Sequence, residues 1–276
     1  MVIRDVTLRD GLQNQLTVLP TERKAALYDA LAEAGVEAFQ VTSFVSPKRL
    51  PQLGDAEDLW SRLSARPGVR DALIANMRGY ERAVAVGVDR VELVLALSET
   101  YHHKNSGRSR EATLGEFEAL IGRAAGDGVH VGVGLANVWH CTYEGFLAPE
   151  VALDWGERFH MLGVRDIGLA DTTGAARTED VCSLVERARR AWPDAFLRVH
   201  LHDAGSGVAS AAAALEAGAD ALDATLGGVG GSPFAGEVGG NLDLLKVASW
   251  ASTGLDGAAL ARAWEELRSW LETPSA

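Results

Sequence analysis

Val84-Ala85-Val86-Gly87-Val88-Asp89-Arg90-Val91-Glu92-Leu93-Val94-Leu95 holds, in one stretch, the unit from which the chain is built. A helical run stops at a glycine, a short link follows, and a mostly apolar strand begins. Glycine tolerates the left-handed conformation that ends a helix. A short strand that is nearly all apolar is what burial on both faces requires. The unit recurs as Ala34-Gly35 before Ala38-Phe39-Gln40-Val41, and as Gly126-Asp127-Gly128 before Val129 to Leu135. It returns as Leu162-Gly163 before Asp166-Ile167-Gly168-Leu169, and as Ala217-Gly218 before Ala221-Leu222-Asp223-Ala224. Val2–Val6, Ala72–Ala75 and Phe196–Leu201 read as further strands. About eight strands alternating with helices are the spacing of βα units. We expect an α/β fold, a single (β/α)8 barrel with extra C-terminal helices, rather than an open doubly wound sheet. The first βα turn, Thr7-Leu8-Arg9-Asp10-Gly11-Leu12, lacks the GxGxxG fingerprint of the latter. No Pro/Ser-rich linker divides the chain, so residues 1–276 are expected to form one catalytic domain.

Bulk properties narrow the class. The formal net charge of -12 argues against nucleic acid as a partner, because phosphate binding needs concentrated Lys and Arg. No apolar run approaches the roughly 18 residues of a membrane span. The strand-like run begins at Val2, which leaves no room for a leader peptide, and the two cysteines, Cys141 and Cys182, suggest a reducing compartment. The expected location is the cytoplasm.

In a barrel, function gathers at the C-terminal ends of the strands, and the polar clusters fall there. In Val199-His200-Leu201-His202-Asp203 the two histidines lie at i and i+2, so a strand points them the same way. Two such imidazoles suit a divalent metal, although hydrogen-bonded structural histidines would look the same. After the first strand come Arg9, a fixed cation able to stabilise an oxyanion, Asp10, a hard oxygen ligand, and then Gln13. A glycine-rich loop runs from Gly227 to Gly236 and on to Gly239-Gly240-Asn241. Such loops approach ligands closely and act as lids. Asn241 reads equally as a helix N-cap or as a metal ligand. Thr42-Ser43-Phe44-Val45-Ser46-Pro47-Lys48 follows the second strand and offers Lys48 as an anion contact. Asp171, in Asp171-Thr172-Thr173-Gly174, reads as a base or as a rim hydrogen-bond acceptor.

Taken together these segments resemble the metal-dependent lyase and synthase barrels, and most closely the 3-hydroxy-3-methylglutaryl-CoA lyases. The resemblance spans nearly the whole chain. It is carried by RDGLQN at Arg9–Asn14, TSFVSPK at Thr42–Lys48 and SET at Ser98–Thr100 with Lys104-Asn105. It continues through YEG at Tyr143–Gly145, DTTG at Asp171–Gly174, HLHD at His200–Asp203 and GGSPFA at Gly230–Ala235, with Gly240-Asn241. The resemblance implies Asp10, His200, His202 and Asn241 as ligands of Mg²⁺ or Mn²⁺. It implies Arg9 as the cation facing an enolate, Asp171, His200 and Ser232 as catalytic positions, and Gln13, Gln40, Ser43 and Lys48 as substrate contacts. The implied substrate is a small acyl-CoA or a 2-oxo or hydroxy acid, and a homodimer is expected by resemblance alone.

Two positions depart from the lyase pattern. Those lyases carry GGCP in the lid, with a catalytic Cys, where this chain has Ser232. They carry an acidic residue before TSF, where this chain has Gln40. Both changes remove an ionisable group, so the proton-transfer step is expected to differ. Another donor (His140, His102 or water), a different hydroxyacyl substrate, or the reverse condensation of acetyl-CoA with a 2-oxo acid would each accommodate them. A pyruvate-type aldolase and a non-catalytic ligand-binding barrel are further alternatives.

Overall fold

The computed structural model describes residues 1–231, 239–250 and 253–272. Its elements, in chain order, are β1 (Val2–Asp5), α1 (Thr21–Glu33), β2 (Ala38–Ser43), α2 (Ala56–Leu63), β3 (Val69–Ile74), α3 (Met77–Ala85) and β4 (Arg90–Ala96). Then follow α4 (Glu99–Ser106), α5 (Arg110–Asp127), β5 (His130–Ala136), the small strands β6 (His140–Cys141) and β7 (Gly145–Phe146), and α6 (Pro149–Met161). The chain continues through β8 (Asp166–Ala170), α7 (Thr178–Ala191), β9 (Phe196–His200), α8 (Gly207–Glu216), β10 (Ala221–Ala224), α9 (Leu244–Ala248) and α10 (Gly257–Glu272).

Eight parallel strands close on themselves in the order β1-β10-β9-β8-β5-β4-β3-β2, and β6 pairs antiparallel with β7 as a hairpin outside the barrel. This is the expected (β/α)8 barrel, with α10 as the extra C-terminal helix. The recurring glycines do what the sequence pattern requires: Gly35, Gly87, Gly128, Gly163 and Gly218 all take positive φ where a helix stops. Between strands and helices lies the apolar core, including Phe39, Leu93, Leu95, Val133, Leu135, Ile167, Leu169, Leu197 and Val199.

The inside of the barrel is built differently, from charge. Arg4 grips Asp223 with two nitrogens, Nε–Oδ1 at 2.8 Å and Nη2–Oδ2 at 2.7 Å, and its Nη1 reaches Asp71 and Glu92 at 2.9 and 2.6 Å. Arg198 meets Asp166 at 2.6 Å, Glu92 at 3.4 Å and Asp223 at 3.8 Å. Glycines on β5 and β8 make the room. A methyl group at Gly134 would come within 2.6 Å of Glu92 Oε1, and one at Gly168 within 3.1 Å of Arg198 Nη1. Two guanidiniums thus serve four carboxylates, and the surplus of negative charge shows in their acidities. Burial, with Glu92 nearby, pushes the Asp71 carboxyl up despite Arg4. Against the same burial, Arg198 and Arg4 hold Glu92 at about 2, and Arg4 holds Asp223 well below the usual range. A cavity of about 380 Å³ opens at the floor, among the N-terminal ends of the strands. Arg4, Asp71, Asp166 and Arg198 in its wall are engaged in this network, and Arg90 stands 4.0 Å from Asp166. The chemistry therefore has to be sought at the other end.

Candidate active site

β1 runs into a single π-helical turn, Thr7–Gly11, in which Asp10 N and Gly11 N both donate to Val6 O, at 2.7 and 3.1 Å. Wide turns of this kind are uncommon and concentrate at functional positions. The turn is anchored by Thr7, whose hydroxyl donates to Asp5 Oδ2 at 2.6 Å and accepts from Leu226 N at 2.8 Å. It presents Arg9 and Asp10 at the rim. Asp10 is buried and receives Arg9 Nη1 at 2.5 Å, Gln13 Nε2 at 2.6 Å and Asn241 Nδ2 at 2.6 Å. Burial alone would raise its pKa. Arg9, His200, the Asn241 hydrogen bond and His202 outweigh burial and lower it.

β9 delivers His200, and His202 follows it through a one-residue bridge to Asn241. Their rings stand 5.3 Å apart. Each imidazole is oriented through Nδ1: His200 on Asp223 Oδ2 at 3.2 Å, His202 on the Gly239 carbonyl at 3.0 Å. Among the described residues neither Nε2 atom has a hydrogen-bond partner, the arrangement in which an outer acceptor fixes the tautomer of a ligating histidine. Burial first, then His200, lowers the His202 pKa to about 4, so that ring is neutral at pH 7.

Asn241 carries the most telling atom. Its Nδ2 donates to Asp10 and to the Val229 carbonyl, but its buried Oδ1 has no partner among the described residues. The alternative role of Asn241 as a helix cap is filled by Asp243, which caps α9 through Leu245 N at 2.9 Å. A buried acceptor without a donor costs about 1–3 kcal/mol unless something positive meets it. Among the described residues no three His, Cys, Asp or Glu side chains already converge as a cage. The donor types nonetheless fit a hard divalent ion: a carboxylate, two imidazole Nε2 atoms and an unsatisfied amide oxygen.

The remaining expected residues divide. Gln40 is fully buried and spends both ends of its amide on protein. Its Oε1 accepts from Arg9 Nε, and its Nε2 donates to Asp71 at 2.7 Å and Glu92 at 2.6 Å. It therefore positions Arg9 and ties the rim to the charged interior. Ser43 and Thr42, at the end of β2, have buried hydroxyls without partners. Lys48 lies exposed in the following loop. Asp171 closes β8: its Oδ2 accepts from Ala176 N at 3.1 Å and its Oδ1 is buried and unpartnered. Burial raises its pKa, against the backbone N–H groups of Ala176 and Ala175 and the charges of His140 and His200. Ser232 and most of the lid lie outside the described residues. The base of the lid is propped by Trp264 of α10, whose ring leaves no room for a side chain at Gly227. His102, considered as a proton donor, is buried between Ala96 N and Thr113 Oγ1, which marks it as structural.

Sequence reasoning missed three residues. Asp223 orients His200, and Thr173 holds His140 Nδ1 at 3.0 Å. Asn137 is the one non-glycine residue with positive φ among those described, at 58°. An aspartate inside the apolar run Ala221–Ala224 was visible as an oddity, but its partners were not.

Comparison with known proteins follows the same lines. The HMGL-like family model matches residues 1–263. The mitochondrial hydroxymethylglutaryl-CoA lyase of Macaca fascicularis is 34% identical over 242 residues, covering 87% of this chain and 74% of that protein. The (R)-citramalyl-CoA lyase of Chloroflexus aurantiacus is 35% identical over 292 residues, covering 99% and 92%. The crystal structure of the HMG-CoA lyase from Brucella melitensis superposes with a TM-score of 0.92 at 30% identity, covering 99% of each chain. A closed α/β barrel with these relatives and this rim is a carbon–carbon lyase. More narrowly, the chain belongs to the HMGL-like family.

Proposed function

We propose that the enzyme cleaves the C2–C3 bond of a 3-hydroxyacyl-CoA, HMG-CoA in the first instance, to a carbonyl product and acetyl-CoA. The observation that carries this reading is the unsatisfied Asn241 Oδ1, set beside Asp10 and two histidines already oriented through Nδ1. Asp10, His200, His202 and Asn241 would hold Mg²⁺ or Mn²⁺, which when bound supplies Lewis-acid polarisation of the substrate oxygens. Asp171, made more basic by burial, takes the proton of the 3-hydroxyl through its free Oδ1. The C2–C3 bond breaks, the hydroxyl carbon becomes a carbonyl, and the electron pair passes to the thioester as its enolate. Arg9 stands as the fixed cation for that charge, its guanidinium held by Gln40 and Asp10. A proton delivered to C2 completes acetyl-CoA. His140, half-buried and held by Thr173, is a donor in place of the thiol that related lyases carry in the lid. A homodimer and a cytoplasmic location belong to the same reading; no helix among the described residues is long and apolar enough to cross a membrane.

The test uses HMG-CoA and (R)-citramalyl-CoA in parallel, the second chosen because that relative matches over the fuller length. Acetyl-CoA release should require Mg²⁺ or Mn²⁺ and vanish with a chelator. The metal alone, at about a hundredfold over its Kd, should raise unfolding stability by about 2.7 kcal/mol, and this gain should be lost in Asn241→Ala. Absence of both cleavage and metal stabilisation would end the proposal.

A further inference from the structure

The rim over β5 and β8 carries a second pair of unsatisfied acceptors, away from the Asp10 cluster. Asn137 lies just past the end of β5, where Val138 N donating to Ala170 O sets it beside Ala170, one residue before Asp171. Three ties hold these strand ends together: Asn137 N to Thr172 Oγ1 at 2.9 Å, Val138 N to Ala170 O at 3.2 Å, and His140 Nδ1 to Thr173 Oγ1 at 3.0 Å. Asn137 is fully buried in a left-handed conformation that costs a side-chain-bearing residue free energy. Its Nδ2 faces the His140 carbonyl at 3.4 Å, which settles the direction of the amide and leaves Oδ1 as the end without a partner. Asp171 Oδ1, on the neighbouring strand, is in the same state. Two buried acceptors on adjoining strand ends, each lacking a donor, are matched by a ligand that brings two donors.

A simple 3-hydroxyacyl-CoA offers one donor near its reacting carbon, the hydroxyl that Asp171 is assigned above. We infer that Asn137 Oδ1 accepts a second hydroxyl, on a carbon adjacent to C3, so that the substrate class is a 3-hydroxyacyl-CoA bearing a vicinal hydroxyl. This rests on the lyase reading of the same site. The reaction balances as before: the C3 hydroxyl proton leaves to the base, the C2–C3 bond supplies the enolate, and C2 gains a proton. The second hydroxyl survives in an α-hydroxy carbonyl product. A site built to hydrogen-bond a hydroxyl discriminates strongly against an analogue lacking it, because its own buried polar group is then left bare.

The experiment compares HMG-CoA with its analogue in which the 3-methyl is hydroxymethyl, using the wild type and Asn137→Gly. Glycine keeps the backbone conformation at 58° while removing the acceptor, and an unchanged melting midpoint confirms that the variant is folded. The wild type should favour the hydroxymethyl compound in kcat/KM by at least about a hundredfold, and in Asn137→Gly the ratio should fall to within a few-fold of one. Cleavage of both compounds by the wild type at similar kcat/KM, or a preference that survives in the variant, overturns the inference while leaving the lyase reading intact. Cleavage of neither compound, with (R)-citramalyl-CoA still cleaved, overturns the inference alone; with none of the three cleaved and no stabilisation by metal, the lyase reading falls with it.

Discussion

Arg4 and Arg198, inside the barrel, are surrounded by carboxylates, and each hydrogen-bonds at least one of them at 2.9 Å or less. Toward the C-terminal ends of the strands, Asp171, Asn137, Ser43 and Thr42, with Asn241 bridged to His202, keep buried polar atoms with nothing opposite among the described residues. The interior spends its polar groups on one another, whereas the rim holds them in reserve. The first is a stability device that tolerates no missing partner, and the second accepts a local cost so that a ligand can complete it.

Substitutions that treat the two regions alike should separate them. The largest effect is expected in the interior. Arg198→Met strands Asp166 and leaves Glu92 and Asp223 to Arg4 alone, and should cost about 3–5 kcal/mol in chemical denaturation. A loss below about 1 kcal/mol would mean that the network is ornamental. At the rim, Arg9→Met should lower kcat by about 10²–10³, while its stability loss stays well under that of Arg198→Met. Equal stability losses would erase the distinction. Asp5, just below the turn, tests the boundary between the regions. Burial raises its carboxyl from 3.8 to about 7, against the Thr7 hydrogen bonds. A folded pKa above the unfolded one gives stability that is complete below about pH 4 and is lost as pH rises through 7. Asp5→Asn mimics the protonated form, with an oxygen for Thr7 N and an NH₂ for the Thr7 hydroxyl. Between pH 5 and pH 8 the wild type should therefore lose about 2–3 kcal/mol relative to the variant. A constant difference across that range would show Asp5 ionised throughout.

The fold was legible because it is written locally. Gly35, Gly87, Gly128, Gly163 and Gly218 stop helices in place, and the apolar runs after them are short enough to be strands. The rim was legible as residue types, Asp10, His200, His202 and Asp171, because strand ends are where polar residues interrupt apolar runs. What could not be read was partnership. Gln40 read as a substrate contact, and nothing in its neighbourhood in sequence announced that its amide binds Arg9, Asp71 and Glu92, residues 31 and 52 positions away. Asn137 carries no sequence signal, since its distinction is a dihedral angle and an unmet oxygen.

The grip of Arg4 on Asp223 joins residues 219 positions apart. During synthesis the first strand emerges with a guanidinium that can meet Asp71 and Glu92 on β3 and β4, but its two-nitrogen partner is not there until the last strand is made. Ordering so distant a pairing is slow, because the intervening chain must be drawn in before the contact rewards it. The turn carrying Arg9 and Asp10 is attached to that first strand, and Asn241 arrives after the last. The rim on which Arg9, Asp10 and Asn241 meet is thereby completed only when the ring is shut.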